Sequence, residues 1–189
     1  MTTRVAFALC LFLAACGAGA GGSTTPSSQA LTPLRLYPLA DGHIWSYDVD
    51  TGTGMSTLAI ARVSRRADGR FDVNTGSEPN VYEVTPEGIK RASGTWLLRM
   101  PFEVNASWDL GGGRRAEITS VDASVETPAG NYAHCVEVAE RGGAGAQIRT
   151  IFCPDVGPVF VESSTEIAIT HTTLRVTARL RGYSDGTDL

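Results

Sequence analysis

Val125 to Val161 reads VETPAGNYAHCVEVAERGGAGAQIRTIFCPDVGPVFV. Two β-favouring runs flank a tip of Gly142-Gly143-Ala144-Gly145, and Cys135 and Cys153 are equidistant from Ala144. A hairpin folded about that centre sets Cys135 opposite Cys153, Val136 opposite Phe152 and Val138 opposite Thr150. Val136, Val138, Ile148 and Phe152 then share one face, and the cysteines share the other with Glu137 and Ile151. A cross-strand pair brings Cα atoms to roughly 4.5–5.5 Å, within disulfide reach. The expectation is a Cys135–Cys153 disulfide clamping the base of a small-residue loop, Arg141 to Ala146.

The rest of the chain reads as β. Ile44 to Val49 alternates, with Trp45, Tyr47 and Val49 on one face. Further strands are expected at Met55–Val63, Phe71–Val73, Val81–Val84, about Ile89, Thr95–Arg99, Trp108–Leu110, Ala116–Val121 and Ala123–Glu126. Turn residues punctuate them: Asp68-Gly69, Pro86-Glu87-Gly88 and Gly111-Gly112-Gly113. No eleven-residue window has a helical period, so helix is expected only as single turns, with Pro128-Ala129-Gly130 the candidate. Late in the chain the apolar residues change parity between Ile167/Ile169 and Leu174/Val176/Leu180, which requires a bulge or tight turn within Thr170 to Thr173. The fold class is all-β: one antiparallel, strongly twisted sheet curling into an open barrel or sandwich.

An internal echo has an offset of 63 residues. Pro38 and Trp45 match Pro101 and Trp108, Leu34 matches Leu97, and Gly42 falls on Asn105. Both Gly and Asn accept a left-handed backbone. Pro86-Glu87-Gly88-Ile89 also echoes Pro154-Asp155-Val156-Gly157-Pro158-Val159. Two related β units, 34–96 and 97–183, would produce this pattern, and so would coincidence among common turn residues.

The first thirty residues are different in kind. Arg4 precedes an apolar run, Val5 to Leu13, which is too short to span a bilayer and suits a secretory signal. Leu13-Ala14-Ala15-Cys16 resembles the lipobox of bacterial lipoproteins. That resemblance implies cleavage after residue 15 and lipid on Cys16. Gly17, in place of an aspartate, favours an outer membrane. Residues 16–30 hold the lipidated cysteine and a Gly/Ser/Thr tether, and 31–189 form one domain. Losing Arg4 leaves 15 basic side chains against 20 acidic ones. That balance argues against nucleic acid as a partner. Cys10 leaves with the signal, so Cys135 and Cys153 remain as a pair in an oxidising compartment.

Three pieces extend the resemblance: Tyr37-Pro38-Leu39-x-x-Gly42-x-x-Trp45-x-Tyr47, Pro128-Ala129-Gly130-x-Tyr132-x-x-Cys135, and Cys153-Pro154-x-x-Gly157-x-Val159. Together they resemble a loose set of uncharacterised bacterial lipoproteins. The resemblance implies a β-rich exported domain and brings no activity.

No catalytic constellation emerges. His43, His134 and His171 lack metal-ligand spacing, and parity places His134 on the core face with Val136. Gly54-Met55-Ser56-Thr57-Leu58 is not a nucleophile elbow. Asp48-Val49-Asp50-Thr51-Gly52 starts like a calcium loop but has Ala59 where the glutamate belongs. Arg62, Arg65, Arg66 and Arg70 read as a solvated sheet edge. The expectation is therefore a non-enzyme without cofactor or metal: an envelope scaffold held to the membrane by its lipid and contacting other envelope proteins. The alternative is a module that holds an apolar ligand in the concavity of the sheet, lined by Trp45, Tyr47, Trp96, Trp108 and Phe152.

Overall fold

The computed structural model describes residues 30–76, 78–142, 145–167 and 172–186. The lipobox, Cys16 and the tether through residue 29 lie outside the described residues. Twelve strands form a single antiparallel sheet: β1 (Ile44–Asp50), β2 (Ser56–Arg65), β3 (Phe71–Asn74), β4 (Pro79–Thr85), β5 (Gly88–Arg91), β6 (Trp96–Arg99), β7 (Ser107–Gly111), β8 (Arg114–Thr127), β9 (Gly130–Arg141), β10 (Gln147–Cys153), β11 (Gly157–Ile167) and β12 (Thr172–Ser184). The strand order is β6-β5-β4-β3-β2-β1-β12-β11-β10-β9-β8-β7. Two six-strand meanders, β1–β6 and β7–β12, are thus joined where β1 pairs with β12.

The expected hairpin forms in the expected register. Phe152 faces Val136, Thr150 faces Val138, and Gln147 faces Arg141. Residues 143 and 144, at the tip, lie outside the described residues. The expected turn near Thr170–Thr173 is spanned by β11 and β12, which pair from Ile167↔Thr172 onward, with residues 168–171 undescribed. These are two strands of a hairpin, and both Ile167 and Leu174 are exposed. The two strands expected over Ala116–Val121 and Ala123–Glu126 are one bent strand, β8, with register shifts against β9 from Ile118 to Val125.

The echo at offset 63 has a structural counterpart. Gly42 and Asn105 both have positive φ, 81° and 71°. Gly42 N donates to Val63 O and His43 N to Ala40 O; at the shifted positions Asn105 N donates to Ile118 O and Ala106 N to Glu103 O. The same turn therefore launches the first strand of each meander. The proline-bearing turns Pro86-Glu87 and Pro154-Asp155-Val156 both join the fourth strand of a meander to its fifth.

Among the described residues the α-helical turn is α1 (Pro33–Leu36), not Pro128–Gly130. Thr32 caps it, its hydroxyl accepting from Arg35 N, and Pro33 fills a first-turn position that needs no N–H. Pro128 and Ala129 instead form the β8–β9 turn. Behind α1, Leu36, Tyr37 and Leu39 are buried. The Tyr37 ring lies 5.3 Å from Trp45 and 6.1 Å from Phe152, so this segment plugs the lower end of the sheet, where β1, β5 and β11 begin. Desolvation pushes the Tyr37 phenol well above its ordinary range.

The free edges of the sheet, β6 and β7, meet. Trp108 Nε1 on β7 donates to Trp96 O on β6 at 3.1 Å. The same carbonyl accepts from Arg91 Nη1 at 2.8 Å. Arg91 of β5 also reaches Glu140 of β9, whose second oxygen takes Arg114 Nη2 of β8 at 3.0 Å. Glu140 is 7% exposed. One carboxylate thus ties together both flanks of the seam and closes the sheet nearly into a barrel. Glu140→Gln keeps the shape and removes the charge. Because both guanidiniums reach solvent, its cost should fall below that of a fully buried pair, at about 2 kcal/mol. Urea unfolding measures it, and a loss of only a few tenths would show that the seam does not depend on this ion cluster.

Candidate functional site

Of the aromatic residues expected to line a ligand cavity, Trp45, Tyr47, Trp108 and Phe152 are packed into the core, and Trp108 also borders the depression along the β6–β7 connection. Trp45 is fully buried; Tyr47, Trp108 and Phe152 are buried to within a few per cent, and Trp96 is half-buried. Trp45 Nε1 donates to Val156 O at 2.7 Å, and Tyr47 Oη donates to Pro158 O at 2.9 Å. Gly157 between these acceptors has φ +104°, and a Cβ there would sit 3.0 Å from Trp45 Nε1. The indole and the β10–β11 turn are fitted to each other, leaving Trp45 no free face. Trp96 is covered from outside by Lys90 Nζ, 4.6 Å from its ring.

Cys135 and Cys153 form the disulfide, with Cα atoms 4.3 Å apart. Both are buried, as are Ile151 and Phe160, which pair on the same face of the β10–β11 ladder. This outer face has a second packed layer because β8 and β9 do not stop at the disulfide. The hairpin bends there and runs on to touch β11 and β12. Ala129 N at its tip donates to Leu180 O at 3.0 Å. Glu137 above the disulfide accepts from Arg149 Nη2 at 2.6 Å and from the Thr119 hydroxyl, which hold its carboxyl below the usual range. The bond therefore staples a strap to the sheet. Closing a loop of this length contributes about 3 kcal/mol in the chain-entropy model. The double variant Cys135→Ser/Cys153→Ser should lose about that much. Its hydrogen exchange should rise in residues 119–134 and stay unchanged in β2–β5. Two alkylatable thiols in the exported wild-type protein would contradict the bond.

The histidines divide differently from expectation. His134 is not on the core face: it has φ 57°, is exposed, and lies 2.6 Å through Nδ1 from Asp122 Oδ1. Its left-handed backbone breaks the strand alternation at the bend of the strap, which is why parity misplaces it. His43 is the buried one, 2% exposed, with its ring 4.2 Å from Trp45 and no hydrogen-bond partner for Nε2 among the described residues. His171 lies outside the described residues. Burial lowers the His43 pKa, opposed in part by the Asp185 carboxylate. The unfolded chain then binds the proton more readily. Stability is full above the unfolded value, about 6.5, and falls as pH drops from there towards the folded pKa. Replacing His43 with Phe should flatten stability against pH between neutrality and mild acid; an unchanged slope in thermal melts would remove His43 as its source.

The arginines expected at a sheet edge surround the β2–β3 turn inside the sheet. Arg66 pairs with Asp72 at 3.1 Å and Arg70 with Asp68 at 2.6 Å. Gly111, Gly112 and Gly113 form the β7–β8 hairpin tip, where Gly111 N donates to Asp109 Oδ1. In the calcium-like stretch Asp50 Oδ1 accepts from Gly52 N, an ordinary side-chain turn. Among the described residues no group of three or more acidic, His or Cys side chains is placed to hold a metal.

An open surface cleft of about 650 Å³ was missed from sequence. Thr32, Pro33 and Leu34 of the α1 plug form one wall; Val84, Thr85, Pro86 and Met100 form the other. Met100 N donates to Glu87 O at 2.8 Å, tying the end of β6 to the β4–β5 turn. A second depression shares Met100 and extends along the β6–β7 connection past Val104. Leu34, Met100 and Val104 are 45%, 42% and 49% exposed. The first cleft carries two threonine hydroxyls and no titratable side chain, so its chemistry is apolar contact, not proton transfer or nucleophilic attack. Its residues come from three distant segments, and no single run of sequence announces it.

No family model matches the chain. No curated protein matches it either. Two solved structures share a distant likeness. One is a candidate exported protein with a YmcC-like fold from Bacteroides fragilis, 13% identical, covering 78% of this chain and 98% of that one with a TM-score of 0.39. The other is a candidate lipoprotein from Parabacteroides distasonis, 12% identical, covering 82% of this chain and all of that one with a TM-score of 0.42. At those scores the likeness carries no conclusion about this chain.

Proposed function

We propose that this chain is a lipid-anchored, non-catalytic protein of the bacterial cell envelope whose barrel is a rigid interaction module. Cys16 bears the lipid, residues 17–30 form the tether, and the outer membrane is the favoured site. The observation that carries the interaction reading is the contrast between inside and outside. Aromatic rings and the Glu140 ion cluster occupy the interior, while the open apolar cleft lies on the surface beside the start of the domain at Leu31. A packed scaffold with an open apolar recess is built to hold something against its exterior. The outward face of the strands is not a lipid-facing belt, since it carries ion pairs such as Arg181–Asp48 and Arg149–Glu137.

A second reading keeps the apolar ligand and moves it from the concavity to the cleft, whose volume suits a small molecule. Native mass spectrometry of protein purified from its own host separates the two. An adduct of lipid mass beyond the anchor on Cys16 favours the ligand, and adduct-free protein with a co-purifying envelope protein favours the scaffold. Cys16→Ser should abolish the lipid mass and release the protein from the membrane fraction; unchanged retention and mass would refute the anchor.

A further inference from the structure

We infer that the cleft of Pro33, Leu34, Val84, Pro86 and Met100, with the adjoining depression at Val104, is where the domain docks on the phospholipid surface that anchors it. This inference rests on the lipid anchor of the proposed function.

The first observation is position. Strands of a meander alternate direction, so their turns separate into two sets. The lower set contains α1, Pro86-Glu87, the β6–β7 connection and Pro154-Asp155-Val156; the upper set contains the turns after Asp50, Arg91, Gly111 and Arg141. The cleft, with Leu34 and Met100, and the adjoining depression, with Val104, belong to the lower set. The chain enters the domain at that same end, and Thr32, Pro33 and Leu34, the wall of the cleft, are its first few residues there.

The second observation is reach. The tether from Gly17 to Ala30 holds fourteen residues without an aliphatic larger than alanine. A coil of that composition and length spans about 20 Å on average. The cleft is therefore held at high effective concentration near the bilayer and needs little affinity of its own to stay there. A free partner in the periplasm has no such advantage, and a second copy would have to bring its own cleft to the same crowded end.

The third observation is chemistry. Leu34 and Met100 line the cleft and Val104 lines the adjoining depression that shares Met100, while Met55, Leu58, Ile60, Ile167, Leu174 and Tyr183 are exposed elsewhere on the domain. Arg99 and Glu103, which line the second depression, are of opposite sign, and the exposed Glu87 follows Pro86 at the cleft wall. Each apolar side chain that leaves water for the acyl boundary adds to a weak, reversible contact. Docking would fix the orientation of the barrel and aim the upper turns away from the membrane.

The test uses the mature lipidated protein reconstituted in phosphatidylethanolamine/phosphatidylglycerol vesicles. An NBD fluorophore is placed on Met100→Cys or, in a separate variant, on Val104→Cys; the native cysteines are occupied by lipid or disulfide. The control label sits on Ser93→Cys, in the upper turn of the same β5–β6 hairpin. Vesicles then receive phospholipid with a nitroxide on its acyl chain. The expected result is a blue-shifted label at 100 or 104 that loses most of its emission to the nitroxide lipid, while the label at 93 loses little. Adding Leu34→Asp should remove that quenching without lowering the melting temperature. Equal quenching at both ends overturns the proposal. A blue shift without quenching also overturns it, because the cleft is then filled by protein or by the anchor's own chains. Mass spectrometry of Cys16 on the same sample reports separately whether the anchor reading stands.

Discussion

A carboxylate with two guanidiniums holds the ends of this sheet together. An open twelve-strand meander leaves two edges, and unpaired edges invite the wrong partners. Here β6 and β7 meet through Trp108 and the Trp96 carbonyl, while Glu140 reaches Arg91 on one flank and Arg114 on the other. Glu140 is well buried, yet both of its cations touch solvent. That placement limits the desolvation penalty that makes deeply buried pairs unprofitable. Once the edges are drawn together, the inward rings have nowhere to go but against one another and the α1 plug. The filled interior follows from closure.

The parts of the fold legible in sequence were those governed by local symmetry. The hairpin about Ala144 could be drawn because both strands are regular from Val136 to Phe152, so counting from the tip preserves register. The turn shared by Gly42 and Asn105 could be suspected because positive φ restricts the choice of residue. What failed were inferences that carried a regular period through an irregular point. His134 sits at such a point, and so does the bend of β8. The helix turn had a legible signature in Thr32-Pro33, but four residues are too few to show a period.

The candidate site was less legible for a geometric reason. Leu34, Val84 and Met100 meet only because β4, β6 and the plug end at the same level of the barrel. Sequence reading ranked the large aromatic residues as ligand-lining because they offer the most contact area. Their size is also what makes them the best filling for a closed sheet, and the core claimed them first. The residues left at the surface are the smaller apolar ones, each unremarkable alone. A contact surface of the kind proposed leaves this faint a trace in sequence.

The pairing of β1 with β12 makes assembly of the fold an all-or-nothing event. Trp45, near the start of the first strand, finds Tyr183 opposite it only when the last strand has arrived. Contacts this distant in sequence make folding slow relative to chains held by local contacts. Until then β1 presents a bare edge and an aromatic residue that the finished barrel buries completely. An unfinished chain is therefore a sticky one. The final strand acts as the clasp that turns a vulnerable half-sheet into a closed barrel, and any shortening that removes β12 would expose the chain to aggregation or proteolysis rather than leave a working half.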